Sequence, residues 1–165
     1  MPKILIFGNS GSGKSTLSKE YVNKLELAHL DLDTIAWQDT KPVIRKPLVE
    51  SAELILSFIK DNKSWVIEGC YADLLALVIE SASEIIFLNP GVEICVKNCH
   101  SRPWEPHKYS SFEEQNKNLQ MLISWVEQYP IRNDEFSLLS HQALFDKFIG
   151  KKRVYTSNER NLTGI

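Results

Sequence analysis

The 165-residue chain is predicted to be an α/β protein built on a parallel, doubly wound sheet. Three observations predict it. Short apolar, β-branched runs alternate with segments of helical period, the pattern that crossover-connected parallel strands require. Five such runs occur, separated by helical patterns long enough to serve as crossovers. The first run leads directly into Gly8-Asn9-Ser10-Gly11-Ser12-Gly13-Lys14-Ser15, a phosphate-binding loop of the form G-x-x-x-x-G-K-[ST] in its strand–loop–helix context.

Each element follows from its own residues. Residues 3–7 are a buried strand, and 16–25 form a helix with apolar residues at 17, 21, 22 and 25. The run 27–30 is a short second strand leading into Asp31-Leu32-Asp33. The stretch 38–47 holds Pro42 and Pro47 and reads as a loop. Apolar residues at 48, 49, 52, 55, 56 and 59 predict a helix over 48–60. A third strand, 65–67, stops at Glu68-Gly69, and 71–81 is helical. The strand 84–88 is closed by Asn89-Pro90-Gly91, and a helix is expected over 92–101. Residues 102–109 carry Pro103 and Pro106 with no period and form an exposed loop. Helices over 113–128 and 135–148 and a last strand over 152–156 complete the order. With no repeat, low-complexity tract or linker, residues 1–165 are expected to be a single domain.

Composition excludes several classes. A hydrophobic share of 43% with 24% charged residues is that of an ordinary globular protein. The formal net charge of −2 gives no general attraction to nucleic acid or membrane surfaces. Cys70, Cys95 and Cys99 include no C-x-x-C pair, so free thiols in a reducing compartment are expected rather than disulfides or a metal site. No apolar run reaches the length of a membrane span, and no leader peptide is seen, so the cytoplasm is expected.

In a parallel sheet the phosphate loop, Asp31, Asp33 and Glu68 all follow strands and gather on one edge. The expected nucleotide-binding set is Gly8, Asn9, Ser10, Gly11, Ser12, Gly13, Lys14, Ser15 and Thr16. Backbone N–H groups of the loop converge on phosphate oxygens at the positive end of the following helix. Lys14 reaches the β- and γ-phosphates, and the Ser15 hydroxyl holds Mg²⁺. Asp31 and Asp33 share a face if extended and diverge if the chain turns. A carboxylate here acts through Mg²⁺-bound water or takes the proton of an acceptor hydroxyl. Asp33 alternatively caps a short helix over 34–37. Glu68 either holds Mg²⁺ through water or is a solvated strand-end acid. Arg102, Lys108 and Arg132 are the cations suited to a transferring phosphoryl group, with 102–110 as a lid. Arg45 and Lys46 are candidates for an anionic acceptor. Trp37 and Trp104 either line the acceptor pocket or pack. His29, inside a strand, is expected to be a core residue, and 155–160 is where the adenine of a nucleotide would lie.

These features resemble the adenylate kinase and shikimate kinase branch of the phosphate-loop (P-loop NTPase) proteins. The resemblance rests on the early G-N-S-G-S-G-K-S, the D-L-D after strand two, the E-G ending strand three and the R-P-W-E-P-H-K loop after strand four. Within that branch, 32–37 and 65–71 are similar to small adenylate-kinase-related proteins labelled "DNA topology modulation". The resemblance implies strand order 2-3-1-4-5 with helices on both faces, an acceptor-binding segment over 38–60 and an arginine-bearing lid over 102–110, where this chain has Arg102 and Lys108 in place of two arginines. It also implies that Asp31 is the Mg²⁺-side acid and Asp33 the acceptor-hydroxyl acid. Where adenylate kinases carry D-G-[FY]-P-R, this chain has Glu68-Gly69-Cys70-Tyr71-Ala72, without the arginine that holds a nucleoside monophosphate. The expected activity is phosphoryl transfer from ATP, with Mg²⁺, to a small metabolite or nucleotide acceptor. The expected catalytic residues are Lys14, Asp33, Arg102 and Arg132; Ser15, Asp31 and Glu68 form the metal set. The alternatives are a nucleotide-binding switch or slow NTPase with no small acceptor, or a nucleic-acid-associated protein. The acidic charge balance and lack of a basic stripe argue against nucleic acid.

Overall fold

In β1 (Lys3–Gly8) every residue from Ile4 to Phe7 is buried, because both faces of this strand are covered. In the computed structural model, which describes residues 1–162, β1 is the central strand. Around it lie β2 (Ala28–Asp31), β3 (Trp65–Gly69), β4 (Glu84–Leu88) and β5 (Lys151–Tyr155), all parallel, in the order β2-β3-β1-β4-β5. This is the order and the architecture expected. Alternation along the strands splits the core in two. Leu5, Phe7, Ile67, Ile85 and Phe87 face one side, against α3 (Ala72–Val78) and α7 (Leu138–Lys147). Ile4, Ile6, Val66, Ile86 and Leu88 face the other, against Leu17 and Tyr21 of α1 (Lys14–Leu25). A buried aliphatic side chain of this kind stabilises the fold by about 1.5–3 kcal/mol.

Several elements differ from their sequence expectation for identifiable reasons. The helix expected over 113–128 is two helices, α5 (Phe112–Lys117) and α6 (Leu119–Glu127), broken at Asn118. Apolar period begins only at Leu119, and α6 packs its Val126 against Cys95 and Cys99 of α4 (Val92–His100). The helix expected over 135–148 starts at Leu138, where the Ser137 hydroxyl accepts the Ser140 N–H as an N-cap. α3 ends at Val78 and tightens into a 3₁₀ turn, Ile79–Ser81. No helix forms over 34–37. Instead Leu32–Thr34 is a 3₁₀ turn capped by Asp31, whose carboxylate accepts the Asp33 N–H at 2.9 Å.

The loop over 38–47 is closed by an antiparallel bridge between Trp37 and Arg45 and leads into α2 (Leu48–Asp61). His29 is not a core residue: β2 is an edge strand, and the ring lies partly exposed beside Glu68. Among the described residues, no helix is long and apolar enough to cross a membrane.

Candidate active site

The loop leaving β1 sits at the middle of the sheet's carboxyl edge, and its backbone shape depends on glycine. At Gly11 and Gly13 φ is +77° and +94°, and a Cβ on Gly11 would lie 2.4 Å from the Cys95 carbonyl oxygen. The Asn9 side chain donates to the Val126 carbonyl at 3.2 Å, tying the loop to α6, while its own backbone carbonyl accepts Lys14 Nζ at 2.8 Å. Of the nine residues assigned to nucleotide, Ser10, Gly11, Gly13, Lys14, Ser15 and Thr16 line a cavity of about 460 Å³. Gly8, Asn9 and Ser12 lie behind that surface. Asn9 and Ser12 are buried, and Gly8 allows β4 to approach so closely that a Cβ would meet the Leu88 carbonyl oxygen at 2.2 Å.

The acidic side of the cavity comes from β2 and β3. Parallel register sets Asp31 opposite Glu68 on these neighbouring strands. Glu68 is buried and spanned by two donors, the Ser15 hydroxyl at 3.2 Å and His29 Nε2 at 2.9 Å. The turn after β2 carries Asp33 to a different set of partners. Its Oδ1 accepts a short hydrogen bond from the Tyr71 hydroxyl, which in turn accepts Trp37 Nε1–H at 2.8 Å. Its Oδ2 meets Lys108 Nζ at 2.7 Å.

Lys108 ties the 102–110 loop to both acids, with Asp31 Oδ2 at 3.0 Å and Glu105 Oε1 at 3.4 Å, and His107 lies 3.3 Å from Asp31 Oδ2. Burial alone would raise the Asp33 carboxyl; the Lys108 charge and the hydrogen bonds from Lys108 and Tyr71 outweigh it and hold the carboxyl below its usual range. Burial would lower the Lys108 ammonium, but the surrounding carboxylates hold it above the ordinary lysine range. Tyr71 is pushed up by burial and by Asp33, so its hydroxyl stays protonated as a donor.

Other expected residues are distributed unevenly. Arg102 and Trp104 line the cavity, with Arg102 Nη1 3.6 Å from Glu105. Arg132, expected beside the phosphates, is not in the cavity wall. Its guanidinium stacks 3.3 Å from the centre of the Trp125 ring and pairs with Asp134 at 2.8 Å. Arg45 likewise pairs with Asp73 and Glu135 over the Tyr71 ring. The 38–60 segment, expected to hold an acceptor, contributes no residue to this wall, and Trp37 packs behind Tyr71.

Sequence reasoning missed Tyr71, Glu105, His107 and Arg160. The Arg160 guanidinium donates to the Ser12 and Gly13 carbonyls at 3.1 and 3.4 Å, so the tail after β5 folds back onto the phosphate loop. Asn98 joins it there, bonding the Gly11 carbonyl and Asn158. Only the position of the tail after the last strand hinted at this.

The donor set fits a phosphate chain with magnesium. A cradle that any Cβ would fill, an ammonium held only by a backbone carbonyl, and hydroxyl and carboxylate oxygens from Ser15, Asp31 and Glu68 suit a hard cation that takes most of its ligands from phosphate and water. Among the described residues no group of three or more His, Cys, Asp and Glu side chains forms a ready-made metal cage.

In sequence the chain matches no protein-family model and no curated protein. In structure, a sugar kinase from Janibacter sp. HTCC2649 superposes with a TM-score of 0.52 at 13% identity, over 94% of this chain and 84% of that one. The fold is that of the P-loop kinases. A deoxyadenosine kinase from M. mycoides with bound dATP is similar at a TM-score of 0.49 and 13% identity, over 98% of this chain and 93% of that one. A shikimate kinase from Acinetobacter baumannii in complex with shikimate is similar at 0.44 and 16%, over 87% and 91%. Lys14, Asp31, Asp33 and Glu68 stand at the carboxyl edge of the parallel sheet, and open α/β sheets in general take their ligands outside that edge.

Proposed function

We propose that the protein is an ATP- and Mg²⁺-dependent phosphotransferase acting on a small-molecule acceptor. One observation carries this reading: a phosphate loop and an acid held by a lysine and a tyrosine face a single cavity under the 102–110 loop. Lys14 and the loop amides hold the nucleotide's terminal phosphates. Ser15, Asp31 and Glu68 are the residues that would hold magnesium, which when bound neutralises charge on the phosphates. Arg102 and Lys108 act as a lid, Lys108 exchanging the carboxylates for phosphate oxygens as it closes. Asp33, released from Lys108 and still oriented by Tyr71, receives the proton of the acceptor hydroxyl as that oxygen replaces ADP on the phosphorus. The free thiols Cys70, Cys95 and Cys99 support a reducing compartment such as the cytoplasm.

The test is a coupled ADP-release assay over candidate acceptors with wild type and Asp33→Asn in parallel. Acceptor-stimulated turnover is expected to fall about a hundredfold or more in the variant, while Mg-ATP binding persists. Equal turnover with and without every acceptor, unchanged in Asp33→Asn, would contradict the proposal and favour a plain NTPase.

A further inference from the structure

The cavity holds little positive charge beyond what a bound nucleotide would consume. Among the described residues its wall holds the cations Lys14, Lys19, Arg102, Lys108 and Arg160 against the carboxylates Asp31, Asp33, Glu68 and Glu105, a single positive charge in excess before His107, already beside Asp31, is counted. A magnesium-bound nucleoside triphosphate brings roughly two net negative charges, enough to consume that excess. A carboxylate or phosphate on the acceptor would then enter a partly enclosed space already negative, where like charges are costly.

The arginines that could have answered it are committed elsewhere. Arg45 has its guanidinium nitrogens 2.9 Å from Glu135 and 3.1 Å from Asp73, and Arg132 lies 2.8 Å from Asp134 with its face on Trp125. Neither lines the cavity, so among the described residues no guanidinium fork beyond Arg102 and Arg160 is available to clasp an acceptor anion.

What the wall does offer is carboxylate oxygen and aromatic surface. Asp33 and Glu105 accept hydrogen bonds, and Trp104 and Tyr109, joined by a 3.0 Å bond from Trp104 Nε1 to the Tyr109 carbonyl, supply the ring and its support. Hydroxyl groups donate to carboxylates, and the C–H face of a ring-shaped polyol packs on an indole. We infer that the acceptor is an uncharged polyhydroxy compound, a sugar or a cyclitol, and neither a carboxylic acid nor a phosphate monoester. The inference rests on the phosphotransferase reading and narrows it.

The experiment uses matched sets on a common carbon skeleton: free hexoses and inositols, the corresponding sugar acids, and their monophosphates. Mg-ATP calorimetry on the same sample comes first, and acceptor-stimulated ADP release follows. A neutral polyol is expected to give kcat/KM at least about tenfold above its acid and its phosphate ester, and Trp104→Ala to raise the KM of that polyol about tenfold while Mg-ATP affinity holds. Nucleotide heat together with turnover of only an acid or an ester, or with no neutral polyol turned over, overturns this inference and leaves nucleotide binding standing. Absence of nucleotide heat removes the phosphotransferase reading itself, and this inference with it.

Discussion

The two halves of the cavity are made in opposite ways. The phosphate half is one contiguous stretch, shaped by backbone: positive-φ glycines, a strand end and a helix start. The acid half is made of side chains brought from far apart, with Tyr71 and Lys108 reaching Asp33 across 38 and 75 residues. A cradle of amides needs little beyond its own sequence, because every residue except proline carries a backbone N–H and only the turn must be specified. A pocket of carboxylates, lysine and tyrosine needs the whole sheet to place it. The first is therefore expected to withstand changes elsewhere in the chain, and the second to be fragile.

The largest expected effect breaks the phosphate half through one side chain. Lys14→Ala should reduce ADP formation about a thousandfold while the melting temperature holds, since among the described residues Lys14 Nζ is bonded only to the Asn9 carbonyl. A large fall in melting temperature would show that the lysine holds the fold. Next, the two arginines of the original expectation should separate. Arg102→Ala, in the cavity wall, should lower turnover about tenfold to a hundredfold, whereas Arg132→Ala should cost about 1–2 kcal/mol of stability through lost stacking and pairing and leave turnover close to wild type. Steady-state kinetics and thermal melts on both variants check this, and a reversal of the two would place Arg132 back at the phosphates.

A sharper probe of the acid half is Tyr71→Phe. It removes the donor to Asp33 and the acceptor of the part-buried Trp37 N–H, at about 0.5–1.5 kcal/mol, and should raise the acceptor's KM with no change in Mg-ATP affinity. A last effect is one of pH and falls on stability rather than on turnover. His141 is fully buried, its Nδ1 facing the Tyr129 hydroxyl at 2.7 Å and its Nε2 the Cys70 carbonyl at 2.8 Å behind the end of β3. Burial pushes its pKa down to about 4, with the Cys70 hydrogen bond opposing.

The native state thus needs neutral His141, while an unfolded histidine takes up a proton below about pH 6.5. Its contribution is complete above pH 6.5 and declines as pH falls toward 4, by about 3 kcal/mol in all. Denaturant melts across that window should show the loss in wild type, and a flat profile there, or the same slope in His141→Gln, would refute it.

The same division decided what the sequence revealed. Alternation and the glycine–lysine–serine loop made the strands and the phosphate half legible, since both are local patterns. The strand order came from resemblance, because pairing of β3 with both β1 and β2 leaves no local signature. His29 read as core because its neighbours are apolar, and nothing in the sequence marks β2 as an edge strand. The divergence of Asp31 and Asp33 was foreseeable only as one of two options, decided by the turn at Leu32–Thr34. Arg132 was misplaced because a cation's value depends on its neighbours, and Trp125 and Asp134 claim it first. Tyr71 carried no signal, since its role consists entirely of contacts across the chain.

The most direct measurement is isothermal calorimetry of Mg-ATP into the folded chain, with Lys14→Ala as the paired control. A saturable heat at one site per chain, weakened at least about tenfold in the variant, is expected. No heat at millimolar nucleotide in material of native circular dichroism, or equal heat in both proteins, would contradict the account.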